Sequence, residues 1–109
     1  MNYTQTDILE MLKALANSTR LQIMQWLADP KESFADFSES GDPGLPDWGG
    51  ACVSTIQQKA GISQSVCSGF LKLMLQAKLL EAQRVGKWTY YRINRPAIDA
   101  LIHFISEWS

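Results

Sequence analysis

The sequence predicts a mainly α domain of about five helices and one two-stranded β-hairpin. Three observations carry that prediction. Apolar residues recur at three- and four-residue steps along most of the chain, the spacing of a buried helix face. Gly61 separates two short segments of this kind, and two runs of β-formers, LLEAQRV and WTYYRI, flank Gly86-Lys87. With 109 residues, 46% of them hydrophobic and 19% charged, the chain suits a single domain over 1–109 and lacks the composition of a disordered segment.

The first helix is expected over Asp7–Ala16, where Ile8, Leu12 and Leu15 share one face and Leu9 and Met11 flank it. Asn17 and Ser18 can accept backbone N–H groups at the start of a second helix. Its Leu21, Ile23, Met24 and Leu27 lead to Pro30, which ends it. Residues 29–50 hold three of the four prolines, four of the seven glycines and six acids against Lys31, with no regular period. They read as an acidic Pro/Gly-rich loop, a functional or mobile insertion for which Phe34, Phe37, Leu45 and Trp48 are apolar anchors.

A third helix is expected from Ala51, with Val53, Ile56 and Ala60 on one side, ending at Gly61, a residue suited to a left-handed cap. Ser63 then caps a fourth, in which Val66, Cys67, Phe70, Leu71, Met74 and Leu75 form the apolar stripe to about Lys78. Two short helices joined by a tight turn make a helix-turn-helix, and the hairpin behind it makes that unit winged. Asn94 and Pro96 open a last helix whose stripe is Ile98, Leu101, Ile102 and Ile105, widened by Phe104 and Trp108.

Charge is unevenly distributed. Residues 1–50 hold three basic and eight acidic residues, a balance of −5, whereas residues 51–95 hold seven basic residues and Glu81 alone, a balance of +6. The last 14 residues add Asp99 and Glu107, which restores the formal total of −1. The cationic segment coincides with the helix-turn-helix and the hairpin, where a phosphate partner requires positive charge.

A helix fits the DNA major groove and presents its N-terminal side chains to base edges. In the fourth helix the residues left over by the apolar stripe are Gln64, Ser65, Ser68, Gly69 and Lys72, a set able to read adenine and guanine edges and to hold phosphate. Arg84 and Lys87 on the hairpin, with Tyr90 behind them, are placed to meet the backbone or the neighbouring minor groove. The expected partner is double-stranded DNA. A winged-helix module that binds a protein instead of DNA is the alternative, favoured by the acidic loop and the net negative charge.

One histidine, no Gly-rich phosphate loop and no paired carboxylates in a plausible cleft leave no catalytic constellation, so no enzyme activity is expected. Cys52, Cys67 and His103 fall short of a four-ligand metal site, and no metal or cofactor is expected. Two cysteines are too few for a disulfide scaffold, which points to a reducing compartment. The opening MNYTQTD lacks the order of a secretory signal and no apolar run is long enough to span a bilayer, so a cytoplasmic protein without membrane contact is expected.

The segments LKALANSTRLQIMQWL and SQSVCSGFLKLMLQAKLLEAQRVGKWTYYRI resemble the ArsR/SmtB family of winged-helix transcriptional regulators. The likeness covers nearly all of the chain except 29–50. It implies a homodimeric repressor joined through the first and last helices, with recognition helices in successive major grooves of an inverted-repeat operator. Metal sensors of that family use a Cys-x-Cys pair or carboxylate and His ligands in the last helix, and this chain departs from both. It has Cys52-Val53-Ser54 at the first place, and at the second Asp99, His103 and Glu107, with Leu101 where a His would be needed. Asp99 and His103 from two protomers could still form a shared site. Cys67 lies on the apolar stripe and reads as core. Cys52, near a helix N-terminus that can lower a thiol pKa, is the candidate redox or effector residue, and Trp26 and Trp48 could instead line an organic-ligand pocket.

Overall fold

The computed structural model describes residues 2–37 and 44–109. Among these, six α-helices pack around and beside a three-stranded antiparallel sheet. The helices are α1 (Gln5–Leu15), α2 (Ser18–Ala28), α3 (Pro30–Ser33), α4 (Val53–Ala60), α5 (Gln64–Gln76) and α6 (Arg95–Ser106). The strands are β1 (Ala51–Cys52), β2 (Leu80–Val85) and β3 (Trp88–Ile93), in the order β1-β3-β2.

α1 begins two residues before the expected start because Thr4 closes a capping box. Its hydroxyl accepts the Asp7 N–H at 3.1 Å, and its own N–H donates to the Asp7 carboxylate at 2.9 Å. The buried face is Ile8, Met11 and Ala14, whereas Leu12 and Leu9 turn outward and Leu15 is half-buried. Spacing groups Leu12 with Ile8 and Leu15, but Leu15 packs against the core and Leu12 does not; both faces of this helix are apolar, so periodicity does not separate them. Arg20 closes the far end by donating to the Ala14 carbonyl at 2.7 Å, and its guanidinium lies over the Phe70 ring of α5. Asn17 caps α2 by accepting the Arg20 N–H at 3.0 Å.

Pro30 does not lead into an irregular loop. It occupies the first turn of α3, where a missing N–H costs nothing, and a 3₁₀ turn at Ala35–Phe37 follows. This part of the insertion is fastened by one cation. The Lys59 ammonium of α4 donates to the Ser33 carbonyl at 2.6 Å and lies 5.3, 6.0 and 5.5 Å from the ring centroids of Trp26, Phe34 and Phe37. Phe34 is thereby buried, with its ring edge-on to Trp26. The expectation of a loop over 38–43 lies outside the described residues. Beyond them, Leu45 and Gly49 form a bridge, and the chain enters β1.

β1 is a strand that the sequence does not reveal, since two residues are too short to show alternation. Ala51 and Cys52 pair with Tyr91 and Tyr90, so the expected two-stranded hairpin is the larger part of a three-stranded sheet. Gly50 makes this approach possible: its φ is +76°, and a Cβ there would lie 2.5 Å from the Tyr91 carbonyl oxygen.

Met11, Ile23, Ile56, Leu71, Met74 and Leu79 are fully buried, which joins α1, α2, α4, α5 and the entry to β2 in one core. α5 ends in a Schellman motif: the Leu79 N–H bonds to the Met74 carbonyl and the Lys78 N–H to that of Leu75. Lys78 takes the left-handed conformation that usually falls to glycine, with φ +70°. Its side chain pairs with Asp7 at 3.0 Å, and its carbonyl accepts from Asn94, which also donates to the Tyr3 hydroxyl. The start of α1, the end of α5 and the start of α6 are locked together there.

Two outcomes follow from these interactions. Lys59→Met keeps the alkyl stem but removes the charge from the three rings, and should lower unfolding free energy by about 1–3 kcal/mol with a red shift of Trp emission; equal denaturation midpoints would show that the cage is not stabilising. The Thr4 N–H, and then the Lys78 ammonium, hold the Asp7 carboxyl below its ordinary pKa. A depressed carboxyl contributes stability above its unfolded pKa and loses it as pH falls. Wild type should therefore exceed Asp7→Asn in stability at pH 7, with the gap closing below about pH 4, as read from thermal melts.

Candidate nucleic-acid interface

The turn between α4 and α5 is set by backbone geometry. Gly61, with φ +66°, donates its N–H to the Gln57 and Gln58 carbonyls and ends α4. The Gln57 side chain donates to the Ile62 carbonyl at 3.3 Å, and the Ser63 hydroxyl accepts the Val66 N–H at 3.1 Å to start α5. α5 is anchored through Cys67, Leu71 and Met74, all fully buried, with Phe70 half-buried beneath Arg20. Val66 and Leu75, assigned to this stripe by spacing, are instead exposed. The core meets α5 along a narrower strip than an all-apolar face would need.

Gln64, Ser65, Ser68, Gly69 and Lys72 are all exposed on α5. At about 100° per residue they fall within one arc of about 140°. Gly69 sits in the helix interior, and a Cβ added there meets nothing within 4 Å. A helical glycine costs roughly 1 kcal/mol relative to alanine, and no packing among the described residues accounts for it.

The hairpin turns at Gly86, the first central residue of a two-residue loop, with φ +62° and with Val85 opposite Trp88. Arg84 and Lys87 are exposed beside the turn. The Arg84 side chain donates to the Gly86 carbonyl at 3.0 Å, and the Lys87 ammonium lies 5.5 Å from the Trp88 ring centroid. Tyr90 is further back, half-buried between Gln83 and Cys52 in the sheet register.

The seven cations of residues 51–95 divide into two groups. Lys59 is enclosed by the aromatic rings, and Lys78 is paired with Asp7. Arg92 pairs with Glu81 at 2.8 Å and lies 4.4 Å from the Trp48 ring centroid, while Arg95 donates to the Ala28 carbonyl. Lys72, Arg84 and Lys87 form no bond outside their own helix or hairpin among the described residues. The positive balance of the segment is thus narrower in space than in sequence: its unengaged charge lies on α5 and at the hairpin tip.

The sulfur chemistry is enclosed. Cys52 occupies the N-cap position of α4, as its place in the chain suggests, but it is only 3% exposed in β1 and accepts from the Ser54 hydroxyl. That burial removes it from the exposed set of candidate residues. Burial also pushes the Cys67 thiol pKa up, and raises that of Tyr91, with the neighbouring Cys67 adding to the latter. Asp99 and His103 on α6 and Glu107, which caps its end, are exposed, and among the described residues no three His, Cys, Asp or Glu side chains gather as a metal site. Trp26 and Trp48 lie against different cations, Lys59 and Arg92. No helix among the described residues is long and apolar enough to cross a membrane.

No protein-family model matches the chain. It is 42% identical over 97 residues to the HTH-type transcriptional regulator YbzH of Bacillus subtilis, covering 89% of this chain and 93% of that protein. This chain belongs to the ArsR/SmtB family of winged-helix transcriptional regulators. As a family member it is a transcriptional regulator and not an enzyme. The arsenical resistance operon repressor of the same organism is 27% identical over 106 residues, covering 94% of this chain and 84% of that one. The solution structure of a homodimeric winged helix-turn-helix DNA-binding domain from Mycobacterium bovis, a possible ArsR-family regulator, superposes with TM-score 0.63 at 27% identity, over 94% of this chain and 80% of that one. The ArsR family regulator RHA00566 has the same fold, with TM-score 0.71 at 14% identity, over 99% of this chain and 92% of the other. In this ArsR/SmtB chain the family-like segment LANSTRLQI forms the α1–α2 joint with its Asn17 cap and Arg20 clamp, SQS opens α5, and RVGKWTYYRI forms the hairpin.

Gly69→Ala should raise unfolding free energy by about 0.5–1 kcal/mol, because the added methyl enters open space. Thermal melts of the free protein check this, and destabilisation would reveal a packing role for the glycine.

Proposed function

We propose that this regulator is a homodimeric, sequence-specific DNA-binding repressor that recognises an inverted-repeat operator in duplex DNA and is released by an effector. The observation that carries the reading is the location of the unengaged cations Lys72, Arg84 and Lys87, which share α5 and the hairpin with the exposed polar set Gln64, Ser65, Ser68 and Gly69. In this reading Gln64 pairs with adenine, Ser65 and Ser68 meet base edges or phosphate, and Lys72 takes phosphate or guanine. Gly69 lets the DNA wall approach the helix axis, and Arg84 and Lys87 hold the backbone beside the hairpin.

The dimer in this proposal forms through α1 and α6. Leu9, Leu12, Ile102, Ile105 and Trp108 are exposed on these two helices and the turn that follows α6, an apolar surface that a second copy would cover. Support also comes from the homodimeric relative. Two-fold symmetry would separate the recognition helices by about 34 Å, one turn of DNA. Oxidation of Cys52 is not included as the release step, since the thiol is buried.

Selection of bound sequences from random duplexes should yield an inverted repeat. On the selected duplex, converting Lys72, Arg84 and Lys87 to Gln should reduce the slope of log affinity against log salt by about 0.9 for each phosphate that the protein no longer neutralises, summed over both protomers. Lys78→Gln and Arg92→Gln should leave the slope unchanged. Gly69→Ala should weaken binding while stabilising the fold. Selection of no duplex, or an unchanged slope in the triple variant, would refute the proposal.

A further inference from the structure

The hairpin carries an apolar pair that neither the core nor the α1–α6 surface uses. Val85 and Trp88 face each other across the turn and are 48% and 46% exposed. Alternation places them on the same ribbon face as the Gln83–Tyr90 and Glu81–Arg92 pairs. Toward the base of that face Arg92 pairs with Glu81 and stacks on Trp48, whereas at the tip the Lys87 ammonium lies over the indole. Arg84 is held at the turn by the Gly86 carbonyl. The tip therefore presents a flat aromatic ring and a β-branched side chain on one face, with Lys87 over the ring and Arg84 at the turn beside them.

This arrangement is complementary to the DNA minor groove, where sugars line a narrow channel between two walls of phosphate and an opened base step offers an apolar face to an aromatic ring. The groove is about 6 Å wide, which excludes a helix but admits side chains. We infer that Trp88, backed by Val85, is a DNA-contacting wedge that enters the minor groove beside the site read by α5 and partly unstacks one base step, while Lys87 and Arg84 hold the flanking phosphates. The inference rests on the proposed DNA-binding function and adds a source of sequence preference. Opening a step is cheapest at flexible pyrimidine–purine steps, so the operator should favour TA or CA at the flanks without hydrogen-bonded readout there.

The test uses the full chain and its selected duplex, with 2-aminopurine placed in turn at the flanking positions. Wild type should brighten the probe at one step in each half-site, and Trp88→Ala should not. Trp88→Ala should also lower affinity about 10-fold or more, the range for loss of an aromatic–base stack, without changing the salt slope, and Trp88→Phe should restore most of the loss. A dark probe at every flanking position with wild type, or wild-type affinity in Trp88→Ala, would overturn the wedge while leaving DNA binding intact. A fall in salt slope in Trp88→Ala would also overturn it, since the residue would then act by placing the cations. If wild type bound no duplex at all, the DNA-binding reading and the wedge would fall together.

Discussion

The disposition of positive charge depends on how much of it the fold binds internally. Lys59, Lys78 and Arg92 reach from the helix-turn-helix or sheet to the insertion, α1 and the Trp48 segment, and Arg95 reaches from the start of α6 to the end of α2. These interactions assemble the scaffold, and those of Lys78 and Arg92 also pair the charge with a carboxylate. What stays unengaged is Lys72 on α5 with Arg84 and Lys87 on the hairpin. A protein of formal charge −1 can in this way present a local cationic surface, because the one acid in the segment that carries those three residues, Glu81, is paired with Arg92.

The same economy applies to apolar groups. α5 commits Cys67, Leu71 and Met74 to the core and leaves its polar arc outside, and α6 commits Ala97, Ala100 and Leu101 while Ile102, Ile105 and the following Trp108 stay exposed. The apolar stripe expected on α6, Ile98, Leu101, Ile102 and Ile105, is thus divided between two uses. Ala97, Ala100 and Leu101 pack against the body of the protein, and Ile102, Ile105 and Trp108 face outward. The protein is held together by one set of apolar residues and leaves a second set for another surface.

Much of this is legible in the sequence where one residue type has one structural use. Asn17 and Ser63 as helix caps, Gly61 as a left-handed stop and Gly86 as the hairpin turn each follow from local chemistry, and each stands in its expected place. The exposed positions Gln64, Ser65, Ser68, Gly69 and Lys72 follow by elimination from the α5 stripe. Residues whose role is fixed by distant partners are not legible. In the sequence Lys59 is one more contributor to a cationic field; in the fold it sits among three aromatic rings, each more than 20 residues earlier in the chain. β1 is hidden because its pairing depends on Gly50 and on Tyr91, 40 residues downstream of Ala51. Cys52 reads as reactive because a helix N-terminus favours a thiolate, a local rule that cannot report burial in a sheet.

If function is concentrated on α5 and the hairpin tip, with the other cations serving the scaffold, the two sets must respond differently to DNA. Backbone amide shifts recorded by NMR while the selected duplex is titrated into the protein separate them residue by residue. The largest changes are expected over 63–72 and 84–88, with the amides of Lys59, Lys78 and Arg92 nearly unmoved. Changes centred instead on the segment 44–50 or on the outer face of α6, with 63–72 silent, would contradict that division.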